Sequence, residues 1–207
     1  MNSFSTLMGK QTLLPIIQAN SVSQGLSIAK AMSNAGINLV EVVLRTEASL
    51  DVIKALKQEL PHLQVGAGTV IDEKIFEQAL AVGSDFIITP TISSKLLTYL
   101  ATCPVPVLPG VSNAADILLA KEFGYKELKL FPASLSGGTA FLSAMSSVFS
   151  DISFCPTGGI NETNQQEYLA LSNVFAVGGT WIAKADWVEK GDWSKITSAC
   201  NAAQYID

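Results

Sequence analysis

The segment Leu39-Val40-Glu41-Val42-Val43-Leu44-Arg45 alternates between two kinds of side chain and therefore predicts a β-strand. One face of this strand is wholly apolar, whereas the other face carries Glu41 and Arg45. Side chains along a strand point alternately to its two faces. The apolar face is expected to pack against helices, and the two charged side chains are expected to point the opposite way.

Seven further apolar, β-branched runs accompany this segment, with amphipathic helical patterns between them. The predicted strands are Leu13–Gln18, Leu39–Arg45, Gln64–Thr69, Asp85–Pro90, Val105–Pro109, Glu127–Pro132, Ile152–Thr157 and Val174–Gly178. Strand starts recur roughly every 20–26 residues, the length of one strand, one helix and two short loops. Eight such units predict an α/β fold, a single (β/α)₈ TIM barrel over residues 1–207. The structural alternative is an open, doubly wound sheet. A short helix around Phe4–Met8 is expected to cover the bottom of the barrel.

Composition restricts the classes of protein to which the chain can belong. The chain has 207 residues, of which 48% are hydrophobic and 15% are charged, so it is able to bury a substantial core. A formal net charge of −5 argues against a nucleic-acid partner, because counterion release requires a basic surface. No apolar run reaches the ~18 residues of a membrane span. The N-terminal residues do not resemble a secretory signal.

The cysteines and the histidine argue against disulfides and metal chemistry. Cys103, Cys155 and Cys200 are widely spaced, which is typical of reduced thiols in the cytoplasm. His62 is the one histidine in the chain and follows Pro61 in a predicted loop. A multi-histidine zinc site is therefore excluded, and no metal is expected.

A second predicted strand brings another charged residue to the interior. In Glu127-Leu128-Lys129-Leu130-Phe131, the same parity points Lys129 and Phe131 inward, towards Glu41 and Arg45. Buried ionised groups are costly unless they are paired, so this arrangement indicates either a structural ion network or an active site. Barrel enzymes bind and convert their substrates at the carboxyl-terminal ends of the strands. Arg45, the sole arginine of the chain, and Lys129 both lie towards that end.

A buried lysine of this kind is chemically useful. Desolvation and a neighbouring cation such as Arg45 both favour the neutral, nucleophilic amine of Lys129. The amine can then attack a ketone, and the resulting iminium is an electron sink for cleavage of a carbon–carbon bond. Glu41 is a candidate general acid and base for the proton steps.

Glycine doublets follow the last two predicted strands. Gly158-Gly159 follows the seventh strand and Gly178-Gly179 follows the eighth. The loops after these two strands form the usual phosphate site of a TIM barrel, where backbone N–H groups approach an anion. Thr69 and Thr157 end strands and are able to donate hydrogen bonds to substrate oxygens, although threonine is also common in strands for its shape.

Several of these segments together resemble one enzyme family. They are Glu41-Val42-Val43-Leu44-Arg45-Thr46, Val65-Gly66-Ala67-Gly68-Thr69-Val70, Leu108-Pro109-Gly110, Lys129-Leu130-Phe131-Pro132-Ala133 and Cys155-Pro156-Thr157-Gly158-Gly159-Ile160. Their order and spacing resemble those of the 2-keto-3-deoxy-6-phosphogluconate (KDPG) and 4-hydroxy-2-oxoglutarate (KHG) aldolases, from about Leu13 to the final helix.

The resemblance implies a class I aldolase of carbohydrate metabolism that needs no metal or other cofactor and is a homotrimer. It assigns the Schiff base to Lys129 and the proton shuttle to Glu41. It further implies a substrate-binding set and a phosphate-binding set. The first comprises Arg45, Thr69, Pro90, Phe131 and Thr157, and the second comprises Gly158, Gly159, Gly179 and Thr180.

One departure bears on the substrate. Many members of the family carry an arginine in the loop after the first strand, near the substrate phosphate. Here that stretch is Gln18-Ala19-Asn20-Ser21, which has no cation. Charge-assisted contacts are roughly twice as strong as neutral ones, so both KDPG and KHG stay candidate substrates. The other candidate functions are a non-covalent phosphate-binding isomerase or epimerase, which would leave Lys129 without a role, and a catalytically silent sugar-phosphate-binding barrel.

Overall fold

A computed structural model describes residues 3–204 as alternating parallel strands and helices. The strand segments are β1 Leu13–Ile17, β2 Leu39–Val43, β3 Gln64–Gly68, β4 Phe86–Ile88, β5 Val107–Leu108, β6 Gly110–Val111, β7 Glu127–Leu130, β8 Ser153–Pro156 and β9 Val177–Gly179. The helices are α1 Phe4–Met8, α2 Val22–Ser33, α3 Ser49–Glu59, α4 Glu73–Ala81, α5 Ser94–Leu100, α6 Ala114–Glu122, α7 Gly138–Val148, α8 Gln165–Leu169, α9 Ala185–Lys190 and α10 Trp193–Gln204. A 3₁₀ turn, Trp181–Ala183, precedes α9.

The strands pair in parallel in two sheets. One sheet has the order β5-β4-β3-β2-β1-β9 and the other has the order β6-β7-β8. The predicted strand Val105–Pro109 is thus replaced by two short segments, one in each sheet. Pro109 lies between them and has no N–H to donate, although its carbonyl accepts from Lys129 N at 2.8 Å. The architecture is a parallel α/β fold, in agreement with the predicted alternation of strands and helices.

The two faces of the strands contribute to two different apolar clusters. Val40 and Val42 belong to the large cluster that the helices cover, together with helix residues such as Ile28 and Val52. Leu39 belongs to a smaller inner cluster. That inner cluster also includes Leu14, Phe86, Ile88, Leu108 and Cys155, from strands of both sheets. The parity predicted for Leu39 to Val42 is therefore confirmed, and the inner faces of the two sheets share one core.

The predicted N-terminal helix is present and covers the amino-terminal end of the strands. In α1, Phe4 packs edge-on against Phe86, with the ring centroids 5.2 Å apart. The carboxylate of Glu127, at the start of β7, accepts hydrogen bonds from the backbone N–H groups of Phe4 and Ser5 and from the Ser5 hydroxyl. These contacts hold α1 over the inner cluster and close this end of the fold.

Two observations concern the environment of the chain. Within residues 3–204, no helix combines the length and the apolar character needed to cross a membrane. Cys103, Cys155 and Cys200 are all buried free thiols.

Candidate active site

A buried ion pair joins the two sheets at the centre of the site. Glu41 of β2 is 0% exposed and Lys129 of β7 is 4% exposed. Lys129 Nζ donates to Glu41 Oε1 at 3.1 Å and lies 3.4 Å from Oε2. The structure thus brings together two side chains that are 88 positions apart in the chain. The amine has a proton acceptor in direct contact, which is the arrangement that a lysine nucleophile requires before it attacks.

Glycine in β3 makes room for this pair. A side chain at Gly68 would collide with the Glu41 carboxylate, and one at Gly66 would collide with the ring of Phe86. The sequence Gly66-Ala67-Gly68 therefore serves close approach by neighbouring side chains, which is the usual meaning of glycine within a strand. It lets β2 and β4 turn a carboxylate and an aromatic ring inward at the same level.

The prediction that Arg45 lies inside the fold is wrong. Strand β2 ends at Val43, and Arg45 N donates to the Val43 carbonyl at 2.9 Å in a tight turn. The turn ends the alternation of faces, so Arg45 is exposed at the carboxyl-terminal mouth of the strands. There its Nε donates to Thr69 Oγ1 at 3.1 Å. A guanidinium that cannot lose its charge stays in contact with water there, above the pair rather than beside it.

A cavity of about 210 Å³ opens above Lys129. Its wall includes most of the side chains predicted for the site, together with apolar side chains that the sequence did not single out. The lining residues are Ile16, Val43, Arg45, Lys129, Phe131, Thr157, Gly158, Gly159, Ile160, Gly179 and Thr180. Glu41 lies beneath Lys129, and Thr69 reaches the site through its contact with Arg45. Pro90 lies against Gly110 instead, outside the lining.

The side chains nearest to the amine form the floor of this cavity. Lys129 Nζ lies 5.4 Å from the centroid of the Phe131 ring, within cation–π distance. Thr157 is 2% exposed, and its hydroxyl lies 3.5 Å from the Cys155 carbonyl. Burial raises the pKa of the Cys155 thiol to about 12, although nearby Lys129 acts in the opposite direction. Cys155 therefore stays a neutral thiol at physiological pH, and the available nucleophile at this level is the lysine.

Glycine is needed in the two doublets for different structural reasons. Gly158 and Gly159 have φ values of +92° and +80°, a conformation that other residues rarely adopt. A side chain at Gly159 would also collide with the Ser134 hydroxyl. At Gly179, by contrast, a side chain would collide with the ring of Trp181, so packing requires a glycine there. The first doublet shapes a backbone loop at the cavity. In the second doublet, Gly179 makes room for an indole ring and Gly178 makes room for the Thr157 hydroxyl.

Sequence reasoning missed one cation near the site. Lys184 precedes α9 and lines a second cavity, which shares Ile16 and Thr180 with the first. No motif marks Lys184, because it follows a 3₁₀ turn whose direction is set by packing. Its position four residues after Thr180 was the available signal. Within residues 3–204, no three histidine, cysteine or acidic side chains converge to form a metal site.

Comparison with known proteins identifies the family. The family model "KDPG and KHG aldolase" matches residues 5–199. A 2-dehydro-3-deoxy-phosphogluconate aldolase of Pseudomonas aeruginosa is 44% identical over 177 residues, covering 86% of this chain and 80% of that protein. The KHG/KDPG aldolase of Escherichia coli is 36% identical over 201 residues, covering 97% of this chain and 94% of that protein.

A solved structure agrees with these relatives. The KDPG aldolase of Legionella pneumophila, with pyruvate captured at low pH as a covalent carbinolamine intermediate, superimposes with a TM-score of 0.93. It is 36% identical, and the match covers 96% of this chain and 97% of the other. The matches extend over nearly the whole chain and agree with the buried lysine at the cavity. This chain therefore belongs to the KDPG and KHG aldolase family.

Proposed function

We propose that this protein is a class I aldolase that cleaves KDPG to pyruvate and glyceraldehyde 3-phosphate, KHG to pyruvate and glyoxylate, or both. The observation that carries the proposal is the buried contact of 3.1 Å between Lys129 Nζ and Glu41 Oε1 at the floor of a cavity. The names of the relatives and the carbinolamine in the Legionella enzyme support the same chemistry. An isomerase or a silent binding barrel would leave this nucleophile without a task.

The first steps form the covalent intermediate. Glu41 accepts a proton from the Lys129 ammonium, and the free amine adds to the substrate ketone to give a carbinolamine. Glu41 returns the proton to the carbinolamine hydroxyl, which leaves as water, and an iminium forms. The Phe131 ring, 5.4 Å from Nζ, faces the cation with its π-electrons. Because the first proton leaves the lysine nitrogen and the second reaches the oxygen on the carbon bonded to that nitrogen, a single adjacent carboxylate serves both transfers.

The next steps break the carbon–carbon bond. A base takes the proton of the substrate hydroxyl, the aldehyde departs, and the bonding electrons reach the iminium nitrogen to give an enamine. Glu41 is the proposed shuttle for this proton, which then returns to the enamine carbon. Addition of water to the resulting iminium releases pyruvate and restores Lys129. The electron pair stays on the substrate and the lysine throughout, so the cycle requires no metal and no cofactor.

The remaining predicted residues orient the substrate. Arg45, at the mouth of the cavity and held by Thr69, is the proposed partner of the pyruvyl carboxylate. A guanidinium binds a carboxylate through two parallel hydrogen bonds, which fixes the orientation of the ketone as well as its position. Thr157 donates to a substrate oxygen from the floor. Pro90, which lies against Gly110 outside the lining, shapes the pocket only indirectly. Gly158, Gly159, Gly179 and Thr180 hold the phosphate at the far side of the cavity.

We also propose that the two sheets close into one (β/α)₈ barrel, a single domain over residues 1–207. A bridge between Thr157 and Gly178 links the ends of β8 and β9, which supports closure on one side. On the other side, β5 and β6 follow each other across Pro109, which supports a single interrupted strand. Closure would also account for the inner cluster, to which both sheets contribute.

The assembly and the location are further proposals. A homotrimer would cover exposed apolar side chains such as Leu135, which is 85% exposed, and Val148, which is 64% exposed. A cytoplasmic location agrees with three free, buried cysteines, because reducing compartments keep thiols unpaired. Light scattering of the purified protein tests the trimer, and a monomer at micromolar concentration would contradict it.

Reduction with borohydride in the presence of pyruvate tests the covalent mechanism. We expect a stable pyruvyl adduct on the peptide that contains Lys129, found by intact-mass and peptide analysis. Lys126, which is exposed, is only three positions away, so fragmentation must place the adduct on one of the two lysines. Folded protein without an adduct, or with the adduct on Lys126, would contradict the proposal and favour a non-covalent barrel.

A further inference from the structure

A second cavity adjoins the cavity above Lys129, on the side away from the lysine nucleophile. It has a volume of about 430 Å³ and shares Ile16 and Thr180 with the cavity above Lys129. Its other walls come from the segment after β1, which contributes Gln18 and Asn20, and from the start of α9, which contributes Lys184. A substrate bound at Lys129 therefore has space for its far end on the side of Thr180.

Lys184 is held loosely at the edge of this second cavity. Its Nζ lies 3.7 Å from Glu162 Oε1 and 4.9 Å from the centroid of the Trp187 ring. The side chains of Lys184 and Glu162 are 41% and 64% exposed. Exposed ion pairs of this kind contribute little to stability, so the ammonium is able to exchange Glu162 for a stronger anion at small cost. The indole ring keeps the ammonium near the cavity during that exchange.

The charged residues assigned so far leave one anion of the substrate without a cationic partner. Lys129 is paired with Glu41, and Arg45 at the mouth is the proposed partner of the pyruvyl carboxylate. KDPG carries a second anion at its other end, whereas the segment Gln18-Ala19-Asn20-Ser21 provides no cation for it. Among the residues that line the second cavity, the charged side chains are Lys184 and Glu189. Lys184 is therefore the cation in position to meet that second anion.

We infer that Lys184 binds the phosphate of the phosphorylated aldol and sets the preference of the enzyme for KDPG over KHG. This inference rests on the proposed aldolase function. In KHG the distal carboxylate is attached directly to the carbon that bears the hydroxyl. In KDPG two more carbons and an ester oxygen separate the phosphorus from that carbon, so the phosphate reaches past Thr180 into the second cavity. A phosphate also offers enough oxygens to accept from Thr180 and from Lys184 together.

Lys184→Ala tests the inference against a matched control. We expect kcat/KM for KDPG to fall by roughly tenfold to a hundredfold, mainly through KM, because one charge-assisted hydrogen bond is lost. The value for KHG should change by less than about twofold, because its carboxylate does not reach Lys184. Lys184→Arg keeps the charge and should retain most of the activity with KDPG. Lys195→Ala removes another exposed lysine, one paired with Asp192 at 2.7 Å on α10, and should leave both substrates unaffected.

Equal losses with both substrates, or no loss with either, would overturn the role of Lys184. Glu162→Gln supplies a second readout, because removal of the competing carboxylate should lower KM for KDPG and strengthen competitive inhibition by inorganic phosphate. An unchanged KM and an unchanged inhibition constant would contradict the exchange. Trapping with pyruvate and borohydride separates the two proposals. Absence of the Lys129 adduct in the wild type defeats the aldolase function, whereas a normal adduct in Lys184→Ala without a change in preference defeats this inference alone.

Discussion

Strand β7 carries one charged side chain towards each end of the fold, and the two have opposite fates. Glu127 and Lys129 share one face of the strand and are two positions apart. At the amino end, Glu127 accepts from backbone and hydroxyl groups of α1, and Phe4 packs against Phe86 beneath the helix. At the carboxyl end, Lys129 is paired with Glu41 below a cavity.

Glu127 and Lys129 differ in the kind of group that each side chain contacts. The backbone N–H groups that bind Glu127 cannot give up their protons. The carboxylate of Glu127 therefore only holds helix α1 in place. Glu41 is itself a proton acceptor, so its pair with Lys129 is able to exchange protons and open towards a ligand. Free space does not separate the two ends, because Glu127 also lines a cavity, of about 440 Å³. A charged side chain inside the fold therefore indicates function where its partner is titratable.

The largest expected effect comes from removing the amine at the carboxyl end. Lys129→Met should lower kcat by at least about a thousandfold, because the covalent step is lost entirely. Steady-state assays with KDPG and KHG measure this effect. Lys126→Met, which removes an exposed lysine near the amino end, should leave kcat unchanged.

Stability needs a separate control, because Lys129→Met leaves the carboxylate of Glu41 buried without its partner. Loss of one member of a buried pair costs about 3–5 kcal/mol. The double variant Lys129→Met with Glu41→Gln removes both charges and should recover much of the free energy of unfolding while staying inactive. Activity within tenfold of the wild type in either folded variant would show that the two ends do not differ as described.

An intermediate effect, on stability alone, is expected at the amino end. Glu127→Ala removes the hydrogen bonds that hold α1 and should lower the free energy of unfolding by about 1–3 kcal/mol, with kcat unchanged. Urea denaturation monitored by circular dichroism measures the change. Glu122→Ala, an exposed acidic residue at the end of α6, is the control and should be nearly neutral. A large loss of kcat in folded Glu127→Ala would show that the contacts of Glu127 with α1 affect the reaction at Lys129. The two ends of the strand would then not have separate roles.

The smallest effect is a pH dependence at the amino end. The hydrogen bond from Lys121 holds the pKa of Asp151 below its ordinary value of 3.8. A carboxyl with a lowered pKa in the folded state contributes stability above its unfolded pKa, and this contribution is lost as pH falls through the folded value. Lys121→Met should therefore make the Tm fall less steeply between about pH 4 and pH 2.

Lys54→Met, which removes an exposed lysine on α3, controls for the change in net charge. Equal slopes for Lys121→Met and Lys54→Met would show that the contact between Lys121 and Asp151 has no effect on acid stability. Raising the salt concentration should shrink the difference between the two variants, because both partners of this ion pair are exposed to solvent.

Much of the site follows from strand parity, and the exceptions have physical causes. Alternation placed Glu41 and Lys129 on inner faces, because a strand leaves a side chain only two directions. Arg45 was misplaced because the backbone turns directly after Val43, and one arginine after an apolar run does not signal a turn. The division of the fifth strand at Pro109 depends on which neighbouring strand each short segment pairs with. Tertiary packing decides that pairing, so the local sequence does not predict it. Lys184 was missed because its place beside the cavity depends on how the 3₁₀ turn packs.

The separation of Glu41 and Lys129 along the chain has a consequence for protein synthesis. The carboxylate leaves the ribosome 88 residues before the amine with which it pairs. Until then, strands β1 to β4 cannot bury Glu41 as a carboxylate without a cost of several kcal/mol. Premature compaction of the nascent amino-terminal half is thus penalised, and prematurely terminated chains keep an unmatched charge that opposes their collapse. The pair on which the proposed chemistry depends is therefore also expected to oppose compaction until translation has delivered both halves.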